Sequence, residues 1–441
     1  IVDGDSTPRV ADLTDFGSLE VAAGSLTNTF AITNTGPASL ALETITFSGP
    51  AAHDFSIALA PPSNLPPGAA TEFAVRFDPS TPGIRTATIS IANNDPDENL
   101  FDFALRGRGA GADTPLAVLQ DYLKASNTQS NEWFGWSLAV SRDTAVVGTP
   151  FKNSRAGAAY VFVRSGTAWT QQAILQAANT ETGDDFGISV AISDETIVVG
   201  AQGEDSDATG VIEDAGNEQA SAAGAAYVFV RVGTNWVQQA HLKASNTEPN
   251  DRFGSTIAIS KDTLVVGAFV EASNATGVNG NQTNNRAAQA GAAYVFARTG
   301  TNWSQQAYLK ASNTEAGDQY GLSLAVSGDT VIVGAPFEDS NSTGINEDGN
   351  NNLSPDAGAA YVYVRQGSNW MQQAYLKASN TRPYNWFGRS VSISRETIVV
   401  GAQGENSGSS GVNGNQGNIN SAASGAAYVF IRNGTNWSQQ A

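Results

Sequence analysis

Along most of the chain, apolar and polar residues alternate with a period of two, in short runs broken by turn residues. Phe253 to Ser260 alternate, an Asp262-Thr263 turn follows, and the β-branched run Leu264 to Ala268 ends in Gly-Ala. After a long polar loop come Gly291 to Phe296, a turn at Gly300 to Asn302, and the segment Trp303 to Ser312. Alternation, β-branched and aromatic residues, and Gly, Asn and Asp punctuation predict four short strands in this unit.

The unit recurs. Trp169, Trp236, Trp303, Trp370 and Trp437 follow one another at a single constant interval. The pairs Phe186-Gly187, Phe253-Gly254, Tyr320-Gly321 and Phe387-Gly388 keep that interval, while Phe134-Gly135 stands closer to the pair after it. The first of five copies is therefore shorter than the rest. Four antiparallel strands repeated in register predict propeller blades, because stacking buries both faces of each small sheet. The spaced tryptophans are expected between blades rather than at a ligand.

The stretch 1–110 patterns differently. Phe16–Val21, Thr27–Thr33, Leu40–Phe47, Phe55–Leu59, Thr71–Phe77, Arg85–Ala92 and Phe101–Arg106 alternate with separators such as Pro61-Pro62, Pro66-Pro67-Gly68 and Asn93-Asn94-Asp95-Pro96. Those separators cannot sit inside central strands, and a seven-stranded β-sandwich of immunoglobulin type follows. The Gly-rich stretch from Gly107 to Asp113 marks the junction. The chain is therefore read as all-β, with a sandwich at 1–110, a linker at 111–114 and a propeller at 115–441.

The Phe-Gly and Val-Gly-Ala segments, with Gly334-Ala335-Pro336 in the fourth copy, resemble FG-GAP repeats, the blades of integrin-α-type propellers, in the variety common in bacterial secreted proteins. The turn Ser260 to Thr263 is short, so the calcium loop that integrins place there is missing. In the N-terminal part, Asp3 to Pro8, Thr14 to Gly17, Phe30 to Gly36, and Phe77-Asp78-Pro79 through Ile89–Asn94 resemble Hydin-related "choice-of-anchor D" Ig-like domains. That resemblance implies a stalk or spacer module in a secreted or surface-anchored protein.

Composition narrows the chemistry. The 441 residues carry 42 acids against 23 bases, a net charge of −19, no cysteine and two histidines, His53 and His241. Thiolate chemistry is excluded, and a histidine-based zinc site or Ser-His-Asp relay has almost nothing to be built from. The negative field disfavours nucleic acid and anionic lipid and favours cations. No apolar run is long enough for a membrane span, and the chain opens on Ile1, which reads as a mature or trimmed secreted protein whose signal peptide is already absent. An extracellular or cell-surface location is the expectation.

The loops after Gly-Ala are far longer than a hairpin needs, about 22 residues from Gln202 to Ala223. One reads Asp205, Asp207, Thr209, Gly210, Val211, Glu213; another reads Asp339, Asn341, Thr343, Gly344, Ile345, Glu347. Oxygens at positions 1, 3, 5 and 9, a glycine at 6 and a carbonyl at 7 are what Ca²⁺ requires, so these two loops are the candidate metal sites. The equivalent loops of copies three and five have lost the acids, and the first copy lacks the loop. The alternative is an acidic loop whose side chains serve turns. A second acidic column, Glu132, Asp184, Asp251, Asp318 and Asn385, precedes each Phe-Gly; it could hold a cation but is read as capping turns. Asp143, Asp194, Asp262, Asp329 and Glu396 are read as hairpin formers.

Two facing carboxylates would suffice for glycoside hydrolysis, but a catalytic pair breaks repeat symmetry and these acids recur with the repeat. The turn at Gly300 to Trp303 resembles the end of a sialidase Asp-box, yet Phe296 and Arg298 stand where that box needs Ser and Asp. The sequence thus predicts a non-enzymatic secreted or surface protein for adhesion or extracellular structure, with calcium-stabilised loops contacting other proteins or copies of itself. A carbohydrate-binding propeller using the repeated Trp, Asn and Gln is the alternative, and a glycoside hydrolase the second. Ala441 ends within a fourth strand, whereas 118–126 supply a copy of that strand at the front. Ring closure, further blades, or strand exchange between molecules would each satisfy that edge.

Overall fold

The computed structural model describes residues 3–9, 12–21, 24–96, 98–111, 121–212 and 217–441. The chain forms two compact units, Ile1–Gln120 and Asp121–Ala441. The expected linker at 111–114 lies, apart from Gly111, outside the described residues.

The first unit is a sandwich. One sheet has the order Asp15–Glu20, Leu100–Ala110, Gly83–Ala92, Thr46–Ser48; the other runs Leu26–Thr33, Ala70–Phe77, Phe55–Leu59. The edge strand Asp15–Glu20 pairs in parallel with Leu100–Ala110. Alternation places Phe30, Phe73, Val75, Phe77, Ile89, Phe103 and Leu105 on the inner faces, where they are buried together. The run expected at Leu40–Phe47 is broken into Leu40–Ala41, which pairs with Asn64–Leu65, and Thr46–Ser48, which joins the first sheet. One sequence run thereby serves two sheets.

The second unit is five four-stranded antiparallel blades in chain order, the second carrying an extra short strand, Val211–Ile212. The third blade shows the plan: Thr256–Ser260, Thr263–Ala268, Ala292–Thr299 and Asn302–Leu309, each paired with the next. First strands of consecutive blades abut. The apolar core consists of clusters shared by neighbouring blades: Val198, Val228 and Leu242 of the second pack with Phe253, Leu264, Tyr294 and Phe296 of the third. Each fully buried aromatic of this kind contributes roughly 1.5–3 kcal/mol.

Backbone contact explains the Phe-Gly and Gly-Ala spellings. The Phe253 N–H donates to the Ala223 carbonyl of the preceding blade at 2.9 Å. A Cβ on Gly200 would lie 2.0 Å from the Gly254 carbonyl, and one on Gly254 would lie 2.1 Å from the Ala225 carbonyl. The serine or threonine of Phe-Gly-x-Ser completes the joint: Ser189 donates to Gly254 O at 2.7 Å, Thr256 to Gly321 O at 2.6 Å and Ser323 to Gly388 O at 2.7 Å.

The tryptophans latch the same joints, as the sequence predicts. Trp303 Nε1 donates to Gln239 of the preceding blade at 3.0 Å, Trp370 to Gln306 at 2.7 Å and Trp437 to Gln373 at 2.8 Å, and all three indoles are buried. Arg298 and Arg365 lie 5.1 Å and 5.4 Å from the Trp303 and Trp370 rings, each held by a hairpin acid, Asp262 or Asp329. The hairpin acids therefore orient arginines besides forming turns. In the second copy Glu195, next along the chain from the Asp194 read from sequence, pairs with Arg231 at 2.8 Å.

Gly334 and Gly401 hold the same repeat position, but only Gly334 faces a neighbouring carbonyl, Gly388 O, 2.1 Å from its would-be Cβ. Gly334→Ala is therefore expected to cost about 3 kcal/mol through overpacking and Gly401→Ala less than about 1 kcal/mol, read as shifts in the propeller's thermal transition in dilute solution; equal shifts would contradict the interlock.

Candidate functional site

In the second, third and fourth blades the long loop leaves the second strand and returns along the blade's outer edge. Gly210, Gly277 and Gly344, placed at position 6 of the expected calcium turn, have φ of +78°, +69° and +82°. The positive φ lets the loop turn back onto the fourth strand: Lys243 N–H donates to Gly210 O at 2.7 Å, Lys310 N–H to Gly277 O at 2.8 Å and Lys377 N–H to Gly344 O at 2.8 Å. Val211 pairs with Leu242, and Ile345 bridges Leu376. These glycines serve strand docking.

The expected metal ligands do not converge. Asp205 Oδ1 accepts the Ala222 N–H at 2.6 Å and Asp339 Oδ1 the Asp356 N–H at 2.8 Å, each closing its loop from 17 residues away. In the fifth copy Asn406 does the same for Ala423 at 2.7 Å, so the position needs an acceptor and not a charge. Asp207, Thr209, Asn341, Thr343 and Glu347 lie at or near the surface, and Glu213 lies outside the described residues. Among the described residues no three His, Asp or Glu side chains gather closely enough to hold a metal ion.

The inward parity belongs to the residues one place earlier, which the Asp-x-Asp pattern hides. Glu204 and Ser206, Glu271 and Ser273, and Glu338 and Ser340 are buried. Lys243, Lys310 and Lys377, also buried, reach Glu204, Glu271 and Glu338 at 2.5, 2.8 and 2.6 Å. In the third blade Tyr308 meets Ser273 Oγ at 2.7 Å and Glu271 at 2.9 Å, and Asn246 Nδ2 donates to Glu271 at 3.1 Å. Burial pulls the three lysines down while the glutamates push them back up. In the first blade Lys152 stands at the glutamate position and reaches Glu132 of the second acidic column at 2.7 Å. The signal was present: Gly-Ala-x-x-Glu recurs in every blade from the second on, and Leu-Lys-Ala answers it at Lys243, Lys310 and Lys377.

Three members of the second acidic column, Glu132, Asp184 and Asp318, cap turns as read from the sequence, whereas the buried Asn385 side chain makes no hydrogen bond among the described residues. Asp184 accepts the Glu181 N–H at 2.7 Å, Asp318 the Glu315 N–H at 2.9 Å and Glu132 the Gln129 N–H at 3.0 Å. Burial raises Asp184 to about 7 and Asp251 and Asp318 to about 8, with neighbouring carboxylates adding to the rise. His241 replaces the Tyr of later copies; it stacks on Tyr227 at 4.4 Å, and burial lowers it to about 3. His53 is a surface residue of the sandwich, 3.0 Å from Ser80 Oγ.

Lys310→Met strands a buried carboxylate and is expected to cost about 3–5 kcal/mol, whereas Lys310→Met with Glu271→Gln recovers most of it in thermal melts; equal melting of the two variants would contradict the buried pair. The raised aspartates stay protonated in the folded state where the unfolded chain has ionised them. Their stabilisation is full below about pH 4 and is lost progressively as pH rises from there through the 7–8 range. Asp251→Asn with Asp318→Asn, the residue already present at 385, is expected to flatten the pH dependence of melting over that interval; an unaltered slope would contradict the assignment.

A family model for the FG-GAP repeat matches residues 118–162, 169–229, 236–296, 303–363 and 370–430, and one for the HYDIN/CFA65/VesB-like Ig-like domain matches 9–107. Among solved structures, the chain is similar to a protein of unknown function from Porphyromonas gingivalis W83, at 25% identity over 21% of this chain and 42% of that one, with a TM-score of 0.19. It is also similar to the VesB protease of Vibrio cholerae, at 20% identity over 21% of this chain and 28% of that one, TM-score 0.18. A third similarity is to the ASH/PapD-like domain of human CEP192, at 13% identity over 22% and 82%, TM-score 0.18. The chain thus spans less than half the length of the first two. No curated protein matches it. The five repeat matches fall on the five blades and take in more than half of the residues: the chain belongs to the FG-GAP repeat family and carries a HYDIN/CFA65/VesB-like Ig-like domain in its N-terminal part.

Proposed function

We propose that this protein is a non-enzymatic adhesion or structural protein of the cell surface or extracellular space, whose long blade loops form its contact surface. The observation that carries this reading is the division of labour within each repeat. The recurring ionisable groups of the inner blades are engaged in ion pairs or turn caps. What differs between copies is exposed loop surface, such as Asp207, Asn274, Asn341 and the Glu347-Asp348 pair. FG-GAP repeats are typically extracellular, and among the described residues no helix is long and apolar enough to cross a membrane.

The carbohydrate alternative loses its repeated platform, because Trp303, Trp370 and Trp437 are buried in blade joints. Loop-mediated contact at several points gains strength by avidity rather than by one deep pocket.

Beads coated with the full chain are expected to adhere to cells of a surface-colonised or matrix-rich type. Glu347→Ser, Asp348→Ser and Asn350→Ser together are expected to weaken adhesion several-fold with melting unchanged. Undiminished adhesion by that variant, or polysaccharide cleavage by the chain that Asp251→Asn abolishes, would overturn the reading. Chelation is expected to leave melting and adhesion unchanged; stoichiometric calcium binding with a raised melting temperature would return the loops to metal.

A further inference from the structure

The second, third and fourth blades each bring a lysine and an asparagine to the two oxygens of one buried glutamate. Asn246 lies ahead of the third blade's first strand, and Lys310 follows its last. Glu271, at the root of the long loop, receives both: Lys310 Nζ lies 2.8 Å from Oε2, and Asn246 Nδ2 donates to Oε1 at 3.1 Å. The carbonyl end of the same carboxamide is also engaged, Asn246 Oδ1 accepting the Tyr294 hydroxyl at 2.6 Å.

The fourth blade repeats the set, with Lys377 at 2.6 Å and Asn313 at 2.9 Å from Glu338, and the Tyr361 hydroxyl 2.7 Å from Asn313 Oδ1. In the second blade Lys243 and Asn179 meet Glu204 at 2.5 and 3.3 Å, and Tyr227 donates to Asn179 Oδ1 at 2.9 Å. The lysines, glutamates and tyrosines are buried or nearly so, and the asparagines are half-buried. The first blade, with Lys152 at the glutamate position and Gln176 at the lysine position, has no such set.

An ion pair accounts for the lysine and the glutamate alone. The carboxamide adds an electrophilic carbon on the same carboxylate as the amine, with a phenol on its oxygen and a proton carrier between the two nitrogens. Burial pulls each lysine down, which favours the uncharged, nucleophilic amine, and pushes each tyrosine up, which keeps its O–H in place.

We propose that Lys243, Lys310 and Lys377 are joined by isopeptide bonds to Asn179, Asn246 and Asn313, each formed by the folded blade on itself. The structure holds the groups as they stand before the reaction. In the third blade the Glu271 carboxylate takes a proton from the Lys310 ammonium, and the freed amine attacks Asn246 Cγ. The Tyr294 O–H meets the charge that develops on Oδ1. Glu271 passes its proton to Nδ2, and the Cγ–Nδ2 bond breaks while the new Cγ–Nζ bond remains. Nζ keeps a single hydrogen. The rest leave with the departing nitrogen as ammonium, and Glu271 ends ionised, as it began; no oxidant, water or cofactor enters.

Each bond closes its own blade. Asn246 and Lys310 bracket all four strands of the third blade, so the chain between them becomes a covalent ring with less freedom to gain on unfolding, as a disulfide would make it. The chain has no cysteine with which to form one. Only Ala244-Ser245 and Ala311-Ser312 separate one ring from the next, so tension along this part of the chain runs from bond to bond and bypasses the strands. The linkage does not depend on what the long loops contact.

Intact mass of the purified full chain tests this, with peptide mapping to place the bonds. The chain is expected to weigh less than its sequence by one ammonia for each bond, and its digest to contain branched peptides joining Asn179 to Lys243, Asn246 to Lys310 and Asn313 to Lys377. Asn246→Ala, which leaves the ion pair untouched and so keeps the fold, is expected to retain one more ammonia and to lose the branch at Lys310 alone. Lys310→Arg and Glu271→Gln are expected to do the same, the first by removing the nucleophile and the second by removing the proton carrier. A chain that melts cooperatively yet has its full mass and gives no branched peptide would overturn the proposal and leave a noncovalent network. So would ammonia loss without branches, as succinimide formation at Asn279-Gly280 would give, or a branch at Lys310 that survives Asn246→Ala.

Discussion

Everything in the propeller unit depends on one contact, made by backbone alone: the Phe-Gly of each blade pressed against the Gly-Ala strand ends of the blade before it. Carbonyl oxygens of Gly254, Gly321 and Gly388 occupy the space where side chains on Gly200, Gly267 and Gly334 would begin. Such closeness leaves a carbonyl needing a donor, and the serine or threonine two places after each Phe-Gly provides it. The aromatic ring before the glycine is then driven into the shared core, and the tryptophan latch fixes the blades' outer parts. Because each joint involves only neighbours, stability accumulates joint by joint, as in a one-dimensional array. Near-identical sequences therefore end up differently buried: the second strand of the fourth blade, Thr330–Ala335, is buried throughout, while that of the fifth, Thr397–Ala402, is not.

The architecture was legible because this contact writes itself into sequence at fixed intervals. Glycine on both partners, a small hydroxyl residue two places on, and a tryptophan at constant spacing leave little freedom. The sandwich was legible for a different reason: prolines and glycines punctuate its runs, and alternation fills both inner faces with Phe. The break inside the Leu40–Phe47 run was not, since no turn signal shows that its two ends join different sheets.

The loops carry a second parity that their sequence hides. Asp205-x-Asp207 and Asp339-x-Asn341 present oxygens at alternate positions, which is the arrangement a cation needs, and a strand-like segment has two faces. Which face turns inward is decided by lysines 39 residues away, Lys243 from Glu204 and Lys377 from Glu338. Such a pair is invisible to any local motif. The acids that gave the chain its charge of −19 thereby sort into kinds with separate duties. Hairpin acids hold arginines over indoles, buried glutamates hold lysines, capping aspartates are pushed toward neutrality by burial, and the exposed loop acids carry the field that a partner meets.

The lysine that replaces the buried glutamate in the first blade bears on how five similar repeats avoid confusing their strands. Fourth-strand lysines can be accepted wherever a buried glutamate waits after Gly-Ala, as in the second, third and fourth blades. The first blade puts Lys152 at that place and Gln176 where the others carry lysine. A lysine-bearing strand threaded there by mistake would bury two ammonium groups together, a cost that repeat chains prone to misassembly can use to reject a wrong partner. Lys152 thus marks the first of these five blades as a seat that a lysine-bearing fourth strand does not fit.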